Sequence, residues 1–208
     1  MQPDTDPAPP PLRIGSLAPD FRARSTQGDI QLSDFRGRWV LFFSHPADFT
    51  PVCSSEFAEL ARRQKEFEDL GCALVGLSVD SLYSHLAWVR SLREVFGVQV
   101  GFPIMEDPSM AIGHAYGMID ESSANSANMR STFYIDPDGI IRAITSYPHN
   151  VGRSIEEMLR LLKALQKVSN EAVLAPEGWD TGKPALAMPS ERPDNERADW
   201  FCRFVDTK

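Results

Sequence analysis

The strongest constraint on the fold is an apolar run of strand length, WVLFFS at residues 39–44, which leads through two prolines into a helical pattern. A continuous apolar run is typical of a central strand that is buried on both faces. From Thr50 to Leu70 apolar residues recur at helical intervals, and Gly71 ends the pattern. The run CALVGLSV at 72–79 repeats the strand signal. Strands that alternate with a helix in this way indicate an α/β fold.

The rest of the chain continues this alternation, and its order predicts a central mixed β-sheet with helices on both sides. Residues 14–36 are expected to form short strands and turns. The later predicted elements are a helix at 81–96 capped by Asp80 and Ser81, a short strand at 102–105, a short helix at 108–116, a hairpin around the turn PDG at 137–139, and a helix at 154–168.

Composition divides the chain into three parts. Residues 1–12 are rich in proline and lack an apolar stretch, so they are expected to be a disordered leader and not a signal peptide. Residues 13–170 carry the strand and helix patterns and form the domain. Residues 171–208 are rich in proline and charge but also contain aromatic side chains, which predicts an arm that packs on the domain or on a second subunit. These aromatics are Trp179, Trp200, Phe201 and Phe204.

Charge and apolar content exclude several classes of function. The formal net charge of -8 and the sequence pI near 5.0 argue against a nucleic-acid partner. No apolar stretch is long enough to cross a bilayer, so we expect no membrane association and a cytoplasmic location. His85, His114 and His149 show no spacing with acids or cysteines that suggests a metal site, and no cofactor is expected.

The turn HPADFTPVC at 45–53 carries the chemistry that the sequence predicts. With Thr50 as the N-cap and Pro51 as the first helical residue, Cys53 is the third residue of the helix. The helix dipole and the unpaired amides of the first turn favour a thiolate there, and the sulfur is expected near the Thr50 hydroxyl. Pro46 adds rigidity and removes a donor, which predicts a small pocket for a small electrophile.

These residues resemble the signature of the peroxiredoxins, in the longer form HPADFTPVCSSE that is typical of the one-Cys branch of the peroxiredoxin 6 type. The likeness extends over about residues 14–190. It includes the thioredoxin-like order of elements, the motifs SVDSLYSHLAWV, RSTFYIDPDG and SYPHNVGRSIEEMLR, and the pattern from APEGW to MP. The resemblance implies a thioredoxin-like fold and an antioxidant thiol peroxidase.

The resemblance also implies roles for particular residues. Cys53 would attack the O–O bond of hydrogen peroxide or an organic hydroperoxide and become a sulfenic acid. Thr50 would orient the peroxide, and Arg130 would keep the sulfur ionised and stabilise charge on the oxygens. Three supporting residues are expected beside the pocket, although each also has a purely structural interpretation as a solvated charge or a packed ring. They are Glu56, His45 and Arg153.

Other activities on the same fold remain as alternatives. A thiol–disulfide carrier normally needs two close cysteines, and Cys72, which begins an apolar strand, is expected to be a buried inert thiol. An oligomeric holdase chaperone or a peroxide-sensing thiol protein stays open. A phospholipase activity is not expected, because GRWVLFFSHP at 37–46 lacks the GxSxG motif of some relatives.

The resemblance further implies a thiol reductant, either a thioredoxin-like protein or a small thiol, and a homodimer that can assemble into a decamer-type ring. Cys202 stands in ADWFC, which resembles the tail of archaeal members of the branch that carry an extra cysteine. We expect it to be a resolving cysteine that forms a disulfide with Cys53 of a partner chain. The alternatives are a buried thiol in an aromatic patch and resolution by an external thiol.

Overall fold

The computed structural model describes residues 12–119, 127–189 and 199–206, in which strands and helices alternate. Most of the predicted leader therefore lies outside the described residues. The strands are β1 (Arg22–Ser25), β2 (Gly28–Gln31), β3 (Trp39–Ser44), β4 (Cys72–Ser78), β5 (Ile104–Glu106), β6 (Arg130–Ile135), β7 (Ile141–Tyr147), β8 (Val173–Leu174), β9 (Ala185–Ala187) and β10 (Phe204–Val205). The helices are α1 (Pro51–Asp69), α2 (Leu82–Phe96), α3 (Ala111–Ala115) and α4 (Ile155–Asn170), with a 3₁₀ turn at Leu32–Phe35.

Seven strands form one mixed sheet in the order β2-β1-β5-β4-β3-β6-β7. Strand β3 runs parallel to β4, and β4 runs parallel to β5, whereas β3 and β6 are antiparallel. The predicted hairpin is confirmed as the antiparallel pair β6 and β7, closed by a hydrogen bond from the Gly139 amide to the Asp136 carbonyl at 2.8 Å. The structure thus confirms a central mixed sheet flanked by helices.

Strand β3 is buried along its whole length, as its apolar run predicts. Val40 and Phe42 belong to a cluster of buried residues on one face of the sheet. Phe43 points to the other face, where its ring lies 5.6 Å from that of Phe57 on α1. Because both faces are covered, β3 has few ways to shift, and the turn that follows it starts from a fixed position.

Local capping explains where the helices begin and end. Ser81 caps α2 by accepting from the Ser84 amide, as predicted, and Gly97 ends the helix in a left-handed conformation with φ 65. The short helix α3 starts later than predicted. Its preceding residues form a turn in which the Met110 amide donates to the Asp107 carbonyl, so Pro108 does not begin the helix.

The chain separates into two compact units, of which the second begins at Ser154 and contains α4. Its described residues include a three-stranded antiparallel sheet, β8-β9-β10, that the sequence did not predict. Within this unit Trp179 is buried, its indole donates to the Lys183 carbonyl, and its own carbonyl accepts from Arg160 of α4. The predicted boundary at residue 170 stays a prediction.

Within the described part of the chain, no helix combines the length and the apolar character that crossing a membrane requires.

Candidate active site

The candidate active site lies where three strands of the first unit have ends at the same edge of the sheet. Strand β3 ends at Ser44, and its antiparallel neighbour β6 begins at Arg130, since Phe43 pairs with Thr132. Strand β7 ends at Tyr147, directly opposite Arg130. The turn after β3, the first residue of β6 and the segment after β7 are therefore brought together by strand register alone.

The turn after β3 leads into α1 in the way that the sequence predicts. Thr50 is the N-cap with extended backbone, Pro51 is the first helical residue, and Cys53 is buried in the first turn. The Thr50 side chain makes no capping bond, because its hydroxyl donates to the carbonyl of Ala47 at 2.8 Å. The hydroxyl proton is thus used inside the turn, which leaves the oxygen lone pairs to accept. Pro46 is buried in the same turn.

Arg130 joins the sulfur to the rest of the site. Its Nη1 lies 3.3 Å from the Cys53 Sγ and donates to the Glu56 Oε2 at 2.8 Å. On the other edge of the guanidinium, Nε and Nη2 both donate to the carbonyl of His149, at 3.1 and 2.9 Å. The planar group is held on both edges, so its position beside the sulfur is fixed.

Glu56 connects the two arginines of the site. Its carboxylate accepts from the Arg153 amide, Nε and Nη2 at 2.7 to 3.0 Å, as well as from Arg130. Burial alone would raise the pKa of Glu56, but hydrogen bonds from Arg153 and the charges of both arginines outweigh it and hold the pKa below its usual value. Two guanidinium groups and one carboxylate leave a formal charge of +1, which a thiolate at Cys53 neutralises.

The segment after β7 covers the first turn of α1. A Cβ added at Gly152 would lie 3.3 Å from a methyl carbon of Val52, so only a residue without a side chain passes there without displacing its neighbour. Arg153 continues from this segment into the site, where its Nη1 also donates to the Ser131 carbonyl and the Thr132 hydroxyl at 3.2 Å. Cys53 has no exposed surface, yet Pro51 and Gly152 are exposed, so the sulfur lies just beneath the molecular surface.

His45 does not join this network. Its ring is fully buried and Nε2 lies 2.9 Å from the Asp48 Oδ1, while His85 Nδ1 lies 2.8 Å from the other Asp48 oxygen. Sequence reasoning missed the partnership with His85, because 37 residues separate it from Asp48 and no spacing rule connects them. It also missed the His149 carbonyl, since a backbone acceptor leaves no signal in the sequence.

The side chains of His45, Asp48 and His85 offer ligand atoms that all lie within 4.8 Å of one another, which is close enough to consider a metal ion. Two ligand atoms around one tetrahedral zinc ion are about 3.3 Å apart, since each bond is about 2.0 to 2.1 Å. The two nitrogen–oxygen separations here are shorter and match hydrogen bonds. The geometry therefore favours a hydrogen-bonded cluster.

The other two cysteines lie apart from Arg130. Cys72 is buried at the start of β4, at the other end of the sheet from the candidate site. Cys202 is exposed in the second unit, so it is not buried within its own chain.

Known proteins with this sequence pattern are peroxiredoxins. The family model AhpC/TSA matches residues 14–144. The chain is 42% identical over 203 residues to a peroxiredoxin of Thermoplasma volcanium, covering 94% of this chain and 99% of that protein. It is 47% identical over 177 residues to peroxiredoxin 2 of Caldanaerobacter subterraneus subsp. tengcongensis, covering 85% of this chain and 80% of that protein.

Solved structures give the same result for the fold. The yeast mitochondrial 1-Cys peroxiredoxin is similar with a TM-score of 0.85 and 36% identity, over 94% of this chain and 100% of that one. A mutant of the peroxiredoxin 6 of Arenicola marina is similar with a TM-score of 0.82 and 29% identity, over 90% of this chain and 88% of that one. The thioredoxin-like fold and the thiol peroxidase activity that the resemblance implied are confirmed, and the chain belongs to the AhpC/TSA family as a peroxiredoxin.

Proposed function

We propose that Cys53 is the peroxide-attacking thiol of this peroxidase. The observation that carries the proposal is the Arg130 guanidinium, fixed by Glu56 and the His149 carbonyl with one nitrogen 3.3 Å from the Cys53 sulfur. A positive donor at that distance favours the thiolate, which is the nucleophilic form. The site also becomes neutral when the thiolate forms.

In the proposed reaction the thiolate sulfur attacks one peroxide oxygen and the O–O bond breaks. The sulfur becomes a sulfenic acid, and the other oxygen leaves as hydroxide or alkoxide, which takes a proton to become water or an alcohol. Arg130 donates to the oxygens as charge develops on them, and Thr50 accepts from the peroxide and orients it. Pro46 shapes the pocket without adding a competing donor.

Glu56 and Arg153 act on Arg130 rather than on the peroxide. Glu56 accepts from both guanidinium groups, and Arg153 fixes Glu56 through three of its nitrogens. A carboxylate held this way keeps Arg130 from turning away from the sulfur. His45 is proposed to support the same turn from the side of Asp48.

The sulfenic acid must then be reduced by thiols, as in the family generally. We propose that it condenses with Cys202 of a partner chain, which releases water and forms a disulfide that an external thiol reduces. Cys202 is exposed, as such a reaction requires. Cys53 is buried in a helical turn, so the start of α1 has to unwind locally for the two sulfurs to meet.

The physiological donor is proposed to be a thioredoxin-like protein or a small thiol. The similar yeast mitochondrial 1-Cys peroxiredoxin has its thiol resolved via glutathione and thioredoxin systems, which supports both kinds of donor. We also propose a homodimer, with assembly into a decamer-type ring as a further step, and a cytoplasmic location. The exposed aromatics Phe201 and Phe204 of the C-terminal unit support a surface for a second subunit. A holdase activity is not favoured.

The proposal is tested by following peroxide consumption with thioredoxin, glutathione and dithiothreitol as separate donors. The wild type should turn over, and Cys53→Ser should lose the activity with every donor. Retained activity in Cys53→Ser would overturn the assignment of the nucleophile.

A second experiment tests the role of Cys202. After one equivalent of peroxide, non-reducing electrophoresis should show a dimer band that is absent in Cys202→Ser and present in Cys72→Ser. If the wild type stays monomeric in the gel while peptide mapping shows Cys53 passing to higher oxides, an external thiol resolves the sulfenic acid instead.

A further inference from the structure

Behind the active-site turn lies a buried cluster that the peroxide chemistry proposed above does not use. His45, Asp48 and His85 are each less than one-tenth exposed, and both histidine rings have no exposed surface. His45 and Asp48 belong to the turn between β3 and α1, whereas His85 projects from α2. The His45 ring is also stacked on Trp88, with centroids 5.1 Å apart.

The partners of His85 determine where its protons are. Its Nε2 faces the backbone carbonyl of Met105 at 3.1 Å, and its Nδ1 faces the Asp48 Oδ2 at 2.8 Å. A carbonyl only accepts hydrogen bonds, so Nε2 carries a hydrogen. A carboxylate also only accepts when it is ionised, so Nδ1 carries one as well. With a hydrogen on both nitrogens, the ring is an imidazolium.

The remaining groups of the cluster fit this assignment. Burial would raise the pKa of Asp48, but the hydrogen bonds from His45 and His85 outweigh it and hold the pKa below its usual range, so the carboxyl is ionised. Burial lowers the pKa of His45, more than the bond to Asp48 raises it. His45 is then neutral and donates from Nε2. Its Nδ1, which has no hydrogen-bond partner among the described residues, is a bare lone pair. The buried charges of Asp48 and His85 balance.

Asp48 is also the residue on which the turn depends. Its amide donates to the Asp80 Oδ2 at 2.8 Å, so both its backbone and its side chain are fixed. The next residue, Phe49, is held in the left-handed conformation with φ 57, which is unfavourable for a bulky side chain. Such strain persists only where the surroundings hold it. Directly after it come the N-cap Thr50 and the first turn of α1 with Cys53.

We propose that His85 is a positioning residue of the peroxidase, held as an imidazolium, which fixes Asp48 and thereby the strained turn that places Thr50 and the start of α1. The proposal rests on the proposed role of Cys53 for its kinetic part only. The titratable and charged groups that face the cluster are His45 and Asp48 of the turn, Asp80 after β4, and Glu106 of β5.

Long-range ¹H–¹⁵N NMR on wild-type protein labelled at histidine nitrogens tests the protonation directly. At the pH of the peroxidase assay the His85 ring should show two protonated nitrogens, and His45 should show the neutral form with the hydrogen on Nε2. A neutral His85 at this pH would overturn the proposal, whatever the activity of the enzyme.

The kinetic part is tested with His85→Asn, Asp48→Asn and the double variant, with His114→Gln as the matched control. The rate constant for peroxide should fall at least about tenfold in each single variant, because a misplaced turn misaligns the reacting groups. The double variant should be little worse than either single one. Alkylation of Cys53 by iodoacetamide should fall less than the peroxide rate, because it needs the thiolate but no peroxide oriented by Thr50.

Wild-type peroxide rates in folded His85→Asn would contradict the positioning role, as would equal losses in peroxide reaction and alkylation. If Cys53→Ser instead kept peroxidase activity, the proposed nucleophile would be wrong while the NMR result would still stand. If a variant does not fold, the NMR measurement on the wild type decides.

Discussion

Cys53 and Cys72 are two buried thiols in the same unit, with 0% and 3% of their surface exposed, yet their surroundings differ. Cys53 begins a helix and has an arginine nitrogen 3.3 Å from its sulfur. Cys72 begins a strand, and its sulfur lies 3.7 Å from the carbonyl of Ala73, an acceptor that favours the thiol form. Burial raises the pKa of the Cys72 thiol to about 12.

The access of solvent to the two sulfurs does not explain why Cys53 and Cys72 should differ in reactivity. Cys72 lines a cavity of about 520 Å³ together with Arg38, Gln64, Glu68 and Phe102. Cys53 has no exposed surface. Both thiols are thus almost fully buried, and exposure alone does not make one of them the reactive one. What distinguishes the two is that Arg130 directly contacts the Cys53 sulfur, whereas at Cys72 burial outweighs the Leu41 amide and the charge of Arg38. This matters because only the thiolate is a nucleophile.

The largest expected difference is in the alkylation of the two thiols near pH 7. A thiol with a pKa of about 12 is ionised in only about one molecule in 10⁵ at that pH. Iodoacetamide should therefore modify Cys53 at least about a thousandfold faster than Cys72, as followed by peptide mapping over time. Comparable rates at the two sites would show that the arginine environment does not control reactivity.

The second largest expected effect is on the rate constant for peroxide when Arg130, the planar donor beside the Cys53 sulfur, is replaced. Arg130→Lys keeps the charge but cannot contact the sulfur, Glu56 and the His149 carbonyl at once, so the rate constant for peroxide should fall about a hundredfold. Stopped-flow measurement of the peroxide reaction checks this. Arg142→Lys is the matched control, because Arg142 is a half-exposed arginine of the neighbouring strand that pairs with Asp136. A wild-type rate in Arg130→Lys would rule out its role.

Arg153 should matter less than Arg130. It donates to Glu56, Ser131 and Thr132, and Glu56 also accepts from Arg130, the residue that contacts the sulfur. Arg153→Lys should lower the rate constant for peroxide about tenfold, because Glu56 then holds Arg130 less firmly. The same stopped-flow assay measures it. A loss as large as that of Arg130→Lys would mean that Arg153 contacts the peroxide itself.

The smallest expected effects are on the free energy of unfolding. The region around Glu56 should lose stability at low pH, and the region around Cys72 should lose it at high pH. The pKa of Glu56 lies below its unfolded value of 4.5, so the unfolded chain takes up protons first and stability falls as pH drops below about 4.5. The pKa of Cys72 lies above its unfolded value of 9.0, so stability falls as pH rises beyond 9.

Urea unfolding across pH measures both limbs of the stability curve. Glu56→Gln should flatten the acid limb, and Cys72→Ala should flatten the alkaline limb. If either substitution changed only the opposite limb, the assignment of that limb would be wrong.

The sequence predicted the elements with strong periodicity. Strands β3 and β4, helices α1 and α2 and the hairpin at Asp136 follow from apolar spacing, caps and turn residues, and Thr50 was placed as the N-cap of α1. The strands of two or three residues in the C-terminal unit carry too few positions for any period to be visible. The partnership of Asp48 with His85 depends on how α2 lies beside the turn, which only the folded chain defines. Arg130 was identified by resemblance, since its approach to Cys53 depends on strand register.

The most direct test of the difference between the two thiols is to trap the oxidised sulfur itself. One equivalent of hydrogen peroxide is added to the reduced Cys202→Ser enzyme, in which no disulfide with residue 202 can consume the sulfenic acid, in the presence of dimedone, which labels sulfenic acids. The labelled peptides are mapped by mass spectrometry. The label should appear at Cys53, should be absent from Cys72, and should be lost in Arg130→Lys within the time that the wild type needs to react. Label at Cys72, or an unlabelled Cys53 in an enzyme that has consumed its peroxide, would contradict the account.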